Sequence, residues 1–171
     1  MSGRKVPSHI LAPMTRPPLL DEAQRRFVAA TRRAILATTA PDNRPRLVPV
    51  CFVLGPDDDA MGRLILYTPL DEKPKQDVDP RGLARVRDLL VLPQATLVVD
   101  RWDEEWSRLG WIRLYGTGEL LEPEPREVEE HAAAVAALRA KYPQYEQQGL
   151  DGRPIIRIAI DRVVSWGDTT P

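Results

Sequence analysis

The chain has 171 residues, of which 43% are hydrophobic, and its formal net charge at pH 7 is -1. These values predict one domain with a hydrophobic core, and they argue against a disordered chain, a nucleic-acid-binding protein or a membrane-surface protein. One cysteine and two widely separated histidines provide no ligand set for zinc, so we expect no metal site.

No apolar run approaches the roughly 18 residues of a spanning helix, and the first residues lack the apolar block of a signal peptide. We therefore expect a cytoplasmic protein. Residues 1–18 contain four prolines and several basic residues, which predicts an extended tail in front of a single domain at 19–171.

Helices and short strands follow in chain order. Asp21 is placed to cap a first helix over about 21–33, and apolar residues at helical spacing predict two more helices, at 79–90 and 124–142. Apolar and β-branched runs bounded by turn residues predict six strands, at 34–39, 46–54, 63–68, 95–102, 111–122 and 155–166. Most connections are short, which favours an α+β barrel over a doubly wound sheet. Gly116 and Gly118 predict a bend or bulge in the fifth strand.

Common catalytic signatures are absent from the sequence. It has no nucleophile elbow, dinucleotide-binding glycine motif, phosphate-binding loop or zincin helix, so no catalytic residue is assigned. Pro49, inside the second predicted strand, cannot donate to a sheet ladder. It therefore marks a strand edge, a bulge, or a place where the strand opens toward something else.

The stretch YTPLDEKPK, residues 67–75, places a hydroxyl group and two lysines close together in sequence. Thr68, Lys73 and Lys75 would suit an anion such as a phosphate, because charge-assisted hydrogen bonds to phosphate are strong. The alternative is a solvated loop whose charges pair among themselves, each pair contributing little.

An ordered set of segments resembles a known superfamily. The segments are ATxxxDxRPxxVPVxF, a strand ending in YT with basic residues after it, and RVRDLLxxPxA directly before LVVDRW. They resemble the flavin-reductase-like split barrels related to pyridoxamine 5′-phosphate oxidase, and most of all the branch that uses the deazaflavin coenzyme F-420. The resemblance implies a six-stranded antiparallel split β-barrel with flanking helices, assembled as a homodimer with cofactor sites at the subunit interface.

The resemblance also implies where the cofactor lies. The ring would rest against the strand that holds Val48, Pro49, Val50 and Cys51. The phosphate would lie beside the end of the third strand, at Tyr67 and Thr68, and would be held by Lys73, Lys75 or Arg85. Trp111 and Arg113 are further candidates for the cofactor's surroundings.

The implied function is hydride transfer between F-420 and a small organic substrate, with no nucleic-acid or membrane partner. One alternative is an FMN-dependent oxidoreductase of the same superfamily. Another is a non-catalytic member that binds a flavin or haem.

Overall fold

The computed structural model describes residues 17–71 and 79–171. Within these residues the fold is α+β, with one antiparallel sheet in the order β2-β1-β5-β6-β7-β4-β3. The strands are β1 Ala34–Thr39, β2 Pro45–Val50, β3 Val53–Asp58, β4 Leu64–Pro69, β5 Gln94–Arg101, β6 Gly110–Leu121 and β7 Ile155–Gly167. The helices are α1 Glu22–Ala30, α2 Ala84–Val91 and α3 Val128–Lys141, and short 3-10 turns include Pro80–Gly82 and Pro143–Gln147.

The predicted number of six strands is wrong, because the described residues form seven. The predicted second strand at 46–54 is two strands, β2 and β3, which lie at opposite edges of the sheet. β3 also continues to Asp58, beyond the predicted end of the second strand at residue 54. The run RLVPVCFVL is apolar almost throughout, so its periodicity could not reveal where the chain leaves one edge for the other.

Only Cys51 and Phe52 join these two edge strands. Three Cα–Cα steps span at most about 11 Å, so the sheet must curve until its edges approach each other at this point. β2 and β3 do not pair, and the sheet therefore stays open. This arrangement is consistent with a split barrel, and we call the Cys51–Phe52 link the crossover.

Tyr142, which follows α3, fastens the crossover. Its hydroxyl oxygen accepts a hydrogen bond from the Phe52 amide at 3.0 Å and lies within hydrogen-bond distance of the carbonyl oxygens of Phe52 and Arg32, at 2.8 and 2.9 Å. Phe52 is fully buried, so its amide and carbonyl groups depend on this hydroxyl rather than on water. One side chain thus links the crossover at Phe52 to the residues that precede β1.

The main core fills the concave side of the sheet. Inward residues of the strands pack there with α1 and α2, and the fully buried members include Leu36, Leu66, Leu97, Ile112, Leu114 and Ile158. α1 is anchored by the predicted cap, because the Asp21 carboxylate accepts from the Gln24 amide at 2.8 Å and Gln24 reaches back to the Asp21 amide.

A second core lies between α3 and the convex side of β4 and β7. Val135 and Leu138 of α3 pack there with Ile65 and Tyr67 of β4. Val128 and Ala132 lie at helical spacing from Val135 and would be expected on the same apolar face, but both are exposed. His131 and Ala134 are buried instead, because the helix is so rich in alanine that its apolar pattern does not define one face.

The predicted irregularity in β6 is present. The register between β6 and β7 shifts between Tyr115 and Gly116, where Asp161 is left over on β7. A Cβ atom on Gly116 would lie 2.2 Å from the Ala159 carbonyl oxygen, so only glycine allows this close approach. Among the described residues, no helix has both the length and the apolar character to cross a membrane.

Candidate functional site

A cavity of about 180 Å³ opens beside the crossover. One wall consists of the end of β2 and the first crossover residue, namely Val48, Pro49, Val50 and Cys51. β2 is an edge strand, and Pro49 is solvent-exposed on it. The proline therefore lies where the sheet opens, which is one of the positions that the sequence allowed.

The opposite wall brings together three other elements. Pro69 and Asp71 come from the end of β4, Arg85 from the first turn of α2, and Tyr145 from the 3-10 turn after α3. The Tyr145 hydroxyl donates to Asp71 Oδ2 at 3.2 Å. The cavity thus combines an apolar strand wall with an arginine, a carboxylate and a phenol.

Two buried hydrogen-bond donors at this place are unused. Thr68 is fully buried on the concave side of β4, one residue before Pro69, and its Oγ1 has no hydrogen-bond partner among the described residues. Arg85 is 8% exposed, and its Nε also lacks a partner there. Buried polar groups are almost always hydrogen-bonded, and an unpaired one is costly. Two unused donors, one of them cationic, fit an anion such as a phosphate.

Burial and the neighbouring groups shift the pKa of Arg85 in opposite directions. Burial lowers the pKa of the guanidinium, while the negative charge of Asp71 and the nearby Tyr145 raise it. Burial raises the pKa of the Tyr145 phenol far above its usual range, and contacts with Cys51 and Asp71 add to this effect. The phenol therefore keeps its proton and stays a hydrogen-bond donor in the cavity wall.

Lys141 lies behind the crossover. Its Nζ is 4.1 Å from the centre of the Phe52 ring and has no hydrogen-bond partner among the described residues. Burial lowers the pKa of this lysine to about 8, and the positive charge of Arg32 lowers it further, against a smaller opposing effect of Cys51.

We expect Lys141 to make stability depend on pH. Because its folded pKa is below the unfolded value of about 10.4, the unfolded chain binds more protons there between the two values, and stability rises with pH in that window. Lys141→Met should remove this slope. Denaturant unfolding of the wild type and the variant between about pH 7 and about pH 9.5 measures it. If the free energy of unfolding has the same pH dependence in the wild type and in Lys141→Met, the prediction is wrong. Arg87→Met, which removes an exposed cation, is the control and should leave the pH dependence unchanged.

Three predicted residues lie away from the cavity. Tyr67 points to the convex side of β4, opposite to Thr68, and its hydroxyl donates to Glu130 Oε1 at 2.6 Å. Trp111 and Arg113 share the outer side of β6, where the Arg113 guanidinium lies 4.9 Å from the centre of the Trp111 ring. The structure does not bring these three side chains to the cavity.

Lys73 and Lys75 lie outside the described residues, so their place in the site stays a prediction. Of the other candidates, the four residues of β2 and the crossover line the cavity together with Arg85, and Thr68 directly precedes the lining residue Pro69. The sequence did not indicate Asp71 or Tyr145 as site residues. Asp71 stands inside the stretch that drew attention to the site, whereas nothing in the sequence around Tyr145 points to it.

No group of histidine, cysteine, aspartate or glutamate side chains in the described part of the chain could hold a metal ion. His131, the histidine in this part, is 2% exposed, and its Nε2 lies 2.7 Å from the Arg153 carbonyl oxygen. Its ring is thus already engaged within the protein.

The split sheet and its cavity at the crossover are the architecture of a flavin-type split-barrel protein. The family model for pyridoxamine 5′-phosphate oxidase matches residues 20–167, nearly the whole chain. The protein belongs to this family. The comparison with curated proteins gives no match.

Solved structures share the fold. A conserved hypothetical protein from Mycobacterium tuberculosis is 21% identical, with a TM-score of 0.61 over 89% of this chain and 88% of that one. A FAD-binding protein from Mesorhizobium loti is 21% identical, with a TM-score of 0.56 over 82% and 88%. A heme binding protein from Mycobacterium smegmatis is 20% identical, with a TM-score of 0.59 over 85% of this chain and 53% of that one. At these identities the likeness shows the fold alone.

Proposed function

We propose that this protein is an oxidoreductase that binds the deazaflavin coenzyme F-420 at the cavity beside the crossover and transfers hydride between it and a small organic substrate. The observation that carries the proposal is a pair of unused buried donors: Arg85 Nε, whose residue lines the cavity opposite an open edge strand, and Thr68 Oγ1, one residue before the lining residue Pro69. Membership in the pyridoxamine 5′-phosphate oxidase family supports a flavin-type ligand.

Each part of the site has a role in this proposal. Thr68 and Arg85 hold the phosphate, and the wall from Val48 to Cys51 supports the ring. Lys73 and Lys75 contact the phosphate or the acidic tail of the cofactor. Buried donors that need no reorganisation bind an anion strongly, because water does not compete for them.

When bound, the deazaflavin supplies the hydride chemistry, and the protein supplies binding, orientation and electrostatics. Arg85 would hold the phosphate through its positive charge and its unused Nε donor. The protonated Tyr145 donates a hydrogen bond in the cavity wall, and the apolar side chains of β2 exclude water from one side of the ring. No residue of the chain is assigned to the chemical step.

The site extends beyond one protomer in this proposal. The cavity of about 180 Å³ is smaller than the roughly 300–1,000 Å³ of typical cofactor and ligand pockets. Next to it, the convex side of β2, β1, β5, β6 and the end of β7 has no helix over it among the described residues. We call this surface the outer sheet face, and its apolar members are Ile35, Leu47, Val98, Trp111, Val164 and Trp166.

A second copy of the chain is the occupant that we propose for the outer sheet face. Leu47 is 63% exposed and Trp166 is 56% exposed, which is unusual for large apolar side chains grouped on one surface. Pro49 belongs both to this face and to the cavity wall, so a homodimer formed there would enlarge the cavity at its open side. Sedimentation of the purified protein tests this proposal, and a monomer at micromolar concentration would contradict it.

The cofactor proposal is tested by titrating the purified protein with F-420 and with FMN while following cofactor fluorescence. We expect F-420 to bind at micromolar concentration. Arg85→Ala should weaken binding about tenfold or more, since a hydrogen bond to a charged group contributes about 1.5–3 kcal/mol. The same titration with Lys73→Ala and Lys75→Ala shows whether either lysine contributes to binding the phosphate.

Arg81→Ala is the matched control for Arg85. Arg81 lies one turn earlier and is half-exposed, and its guanidinium pairs with Glu122 at 2.7 Å. Its removal should leave the cofactor affinity unchanged. Failure of both cofactors to bind would overturn the proposed function, and binding of FMN alone would make the protein an FMN-dependent member of the family.

A further inference from the structure

Cys51 brings a thiol to the wall of the cavity. It is the single cysteine of the chain, it is half-buried, and it lines the cavity as the first residue of the crossover. Because the chain has no second cysteine, this sulfur cannot form a disulfide within it. Any covalent partner of the thiol therefore comes from outside the chain.

The cavity around the thiol contains an unused cationic donor. Arg85 lines it at 8% exposure, and its Nε has no hydrogen-bond partner among the described residues. Asp71 lines the cavity as well, but it accepts from the Tyr145 hydroxyl at 3.2 Å, so an incoming anion finds the unused donor at Arg85. A thiol and an anion-binding group in one cavity fit a small thiol-reactive compound that carries a negative charge.

The groups behind the thiol suit the same chemistry. The Lys141 ammonium and the Tyr145 phenol, which keeps its proton, are both close enough to interact with the charge of Cys51. Cysteines that react lie in partly exposed surroundings with a cation nearby. Cys51 has both properties, whereas a cysteine that only fills the core has neither.

We propose that Cys51 is a modification site that takes up small anionic disulfides, such as oxidised glutathione. The Cys51 thiol loses its proton to solvent, and its sulfur bonds to one sulfur of the disulfide. The bond between the two sulfurs of that compound breaks, and its other half leaves as a thiolate. Cys51 is thereby oxidised to a mixed disulfide, the leaving half is reduced, and a thiol from solution reverses the exchange.

The attached group regulates the cavity, and this part of the inference rests on the proposed function. The acidic group on Cys51 competes with the cofactor's phosphate for Arg85, and it occupies the wall against which the ring would lie. Small disulfides in the surroundings thus prevent cofactor binding, and thiol reductants restore it.

The first test measures the reaction of the thiol without any cofactor. Since the chain has one cysteine, the thiol released from a disulfide reagent reports Cys51 only. The reagents are dithiobis-nitrobenzoate, which carries two negative charges, and dithiodipyridine, which is neutral, and each rate is divided by that of free mercaptoethanol. Arg85→Ala should slow the dianion about tenfold and the neutral reagent less than about twofold, because only the dianion is attracted by the guanidinium charge.

Two controls accompany this comparison. Arg81→Ala removes a half-exposed arginine outside the cavity and should change neither rate. Raising the ionic strength should slow the dianion in the wild type and leave the neutral reagent unchanged, which tests the charge effect without a variant that has to fold. Equal effects on the two reagents, or no reaction with either, would overturn the inference.

The second test follows the cofactor. Mass spectrometry of the wild type after treatment with oxidised glutathione should show one added glutathionyl group, and Cys51→Ser should show none. The affinity of the treated wild type for F-420 should fall about tenfold or more and return with dithiothreitol, since the phosphate loses a hydrogen bond to a charged group. The affinity of Cys51→Ser should not respond to the treatment.

The two tests separate the modification site from the proposed function. A modified protein that binds F-420 as tightly as before would overturn the regulation of the cavity. If neither F-420 nor FMN binds while Arg85 still selects the dianion, the proposed function fails and the modification site stands.

Discussion

Thr68→Val should make the cofactor-free protein more stable and at the same time weaken cofactor binding. The Thr68 hydroxyl is fully buried and has no partner in the described structure. Valine has nearly the same shape and suits a strand equally well, so the substitution removes only an unpaired polar group. We expect a gain of about 1 kcal/mol in the free energy of unfolding, or about 2–4 °C in Tm.

The expected loss of cofactor affinity in Thr68→Val also results from removing the hydroxyl. If it donates to the cofactor's phosphate, its removal costs a hydrogen bond to a charged group, which corresponds to about 10- to 100-fold in affinity. Calorimetry of the cofactor-free protein and fluorescence titration with F-420 measure the two effects. A variant that is less stable and binds as well as the wild type would refute the assignment of Thr68.

Thr38→Val is the matched control for this experiment. Thr38 is also a buried strand threonine, but its hydroxyl donates to Asp88 Oδ2 at 2.8 Å. Asp88 is buried, and the hydrogen bonds from Arg46 and Thr38 lower the pKa of its carboxyl group against the effect of burial. The same substitution should therefore destabilise the protein by about 1–3 kcal/mol, opposite in sign to Thr68→Val.

Tyr142→Phe should cause a large loss of stability. The hydroxyl accepts from the Phe52 amide and lies within hydrogen-bond distance of the carbonyl oxygens of Phe52 and Arg32, and its removal leaves the buried Phe52 groups without this partner. We expect a loss of about 2–4 kcal/mol in the free energy of unfolding, measured by denaturant titration. Affinity for the cofactor should fall as well, because the crossover forms one wall of the cavity.

Tyr115→Phe removes a hydroxyl from a different environment. Tyr115 lies on the outer sheet face, where its hydroxyl accepts from Arg113 at 3.1 Å. Since this group is only partly buried, the change should stay within about 0.5 kcal/mol of the wild type. If Tyr142→Phe were equally mild, the crossover would not depend on this side chain.

The sequence allowed much of the fold to be predicted because local signals were strong. Asp21 with Gln24 forms a cap that involves only neighbouring residues, and Gly116 marks a bulge because a backbone approach excludes any side chain. The separation of the predicted second strand into β2 and β3 at Cys51 and Phe52 was missed because it has no local signal. An uninterrupted apolar run gives no local sign that its two halves join different edges of a sheet.

The candidate site was likewise predicted only in part. Thr68, Arg85 and the end of β2 were predicted from sequence segments; Arg85 and the end of β2 line one cavity, and Thr68 directly precedes the lining residue Pro69. Tyr145 was not predicted, because it reaches the cavity through the packing of α3 on the convex side of the sheet. Its partner Asp71 is 74 residues away in sequence. Side chains that meet only through such packing leave no spacing that a sequence can display.

The position of β7 has a consequence for how the protein is made. β7 is the final strand in sequence, yet it lies between β6 and β4 near the middle of the sheet. Until it emerges from the ribosome, β2-β1-β5-β6 and β4-β3 lack the strand that joins them, and the backbone groups at the facing edges of β6 and β4 have no neighbour. Such edges are prone to pair with other chains, so a pause in translation before residue 155 exposes the nascent protein to aggregation.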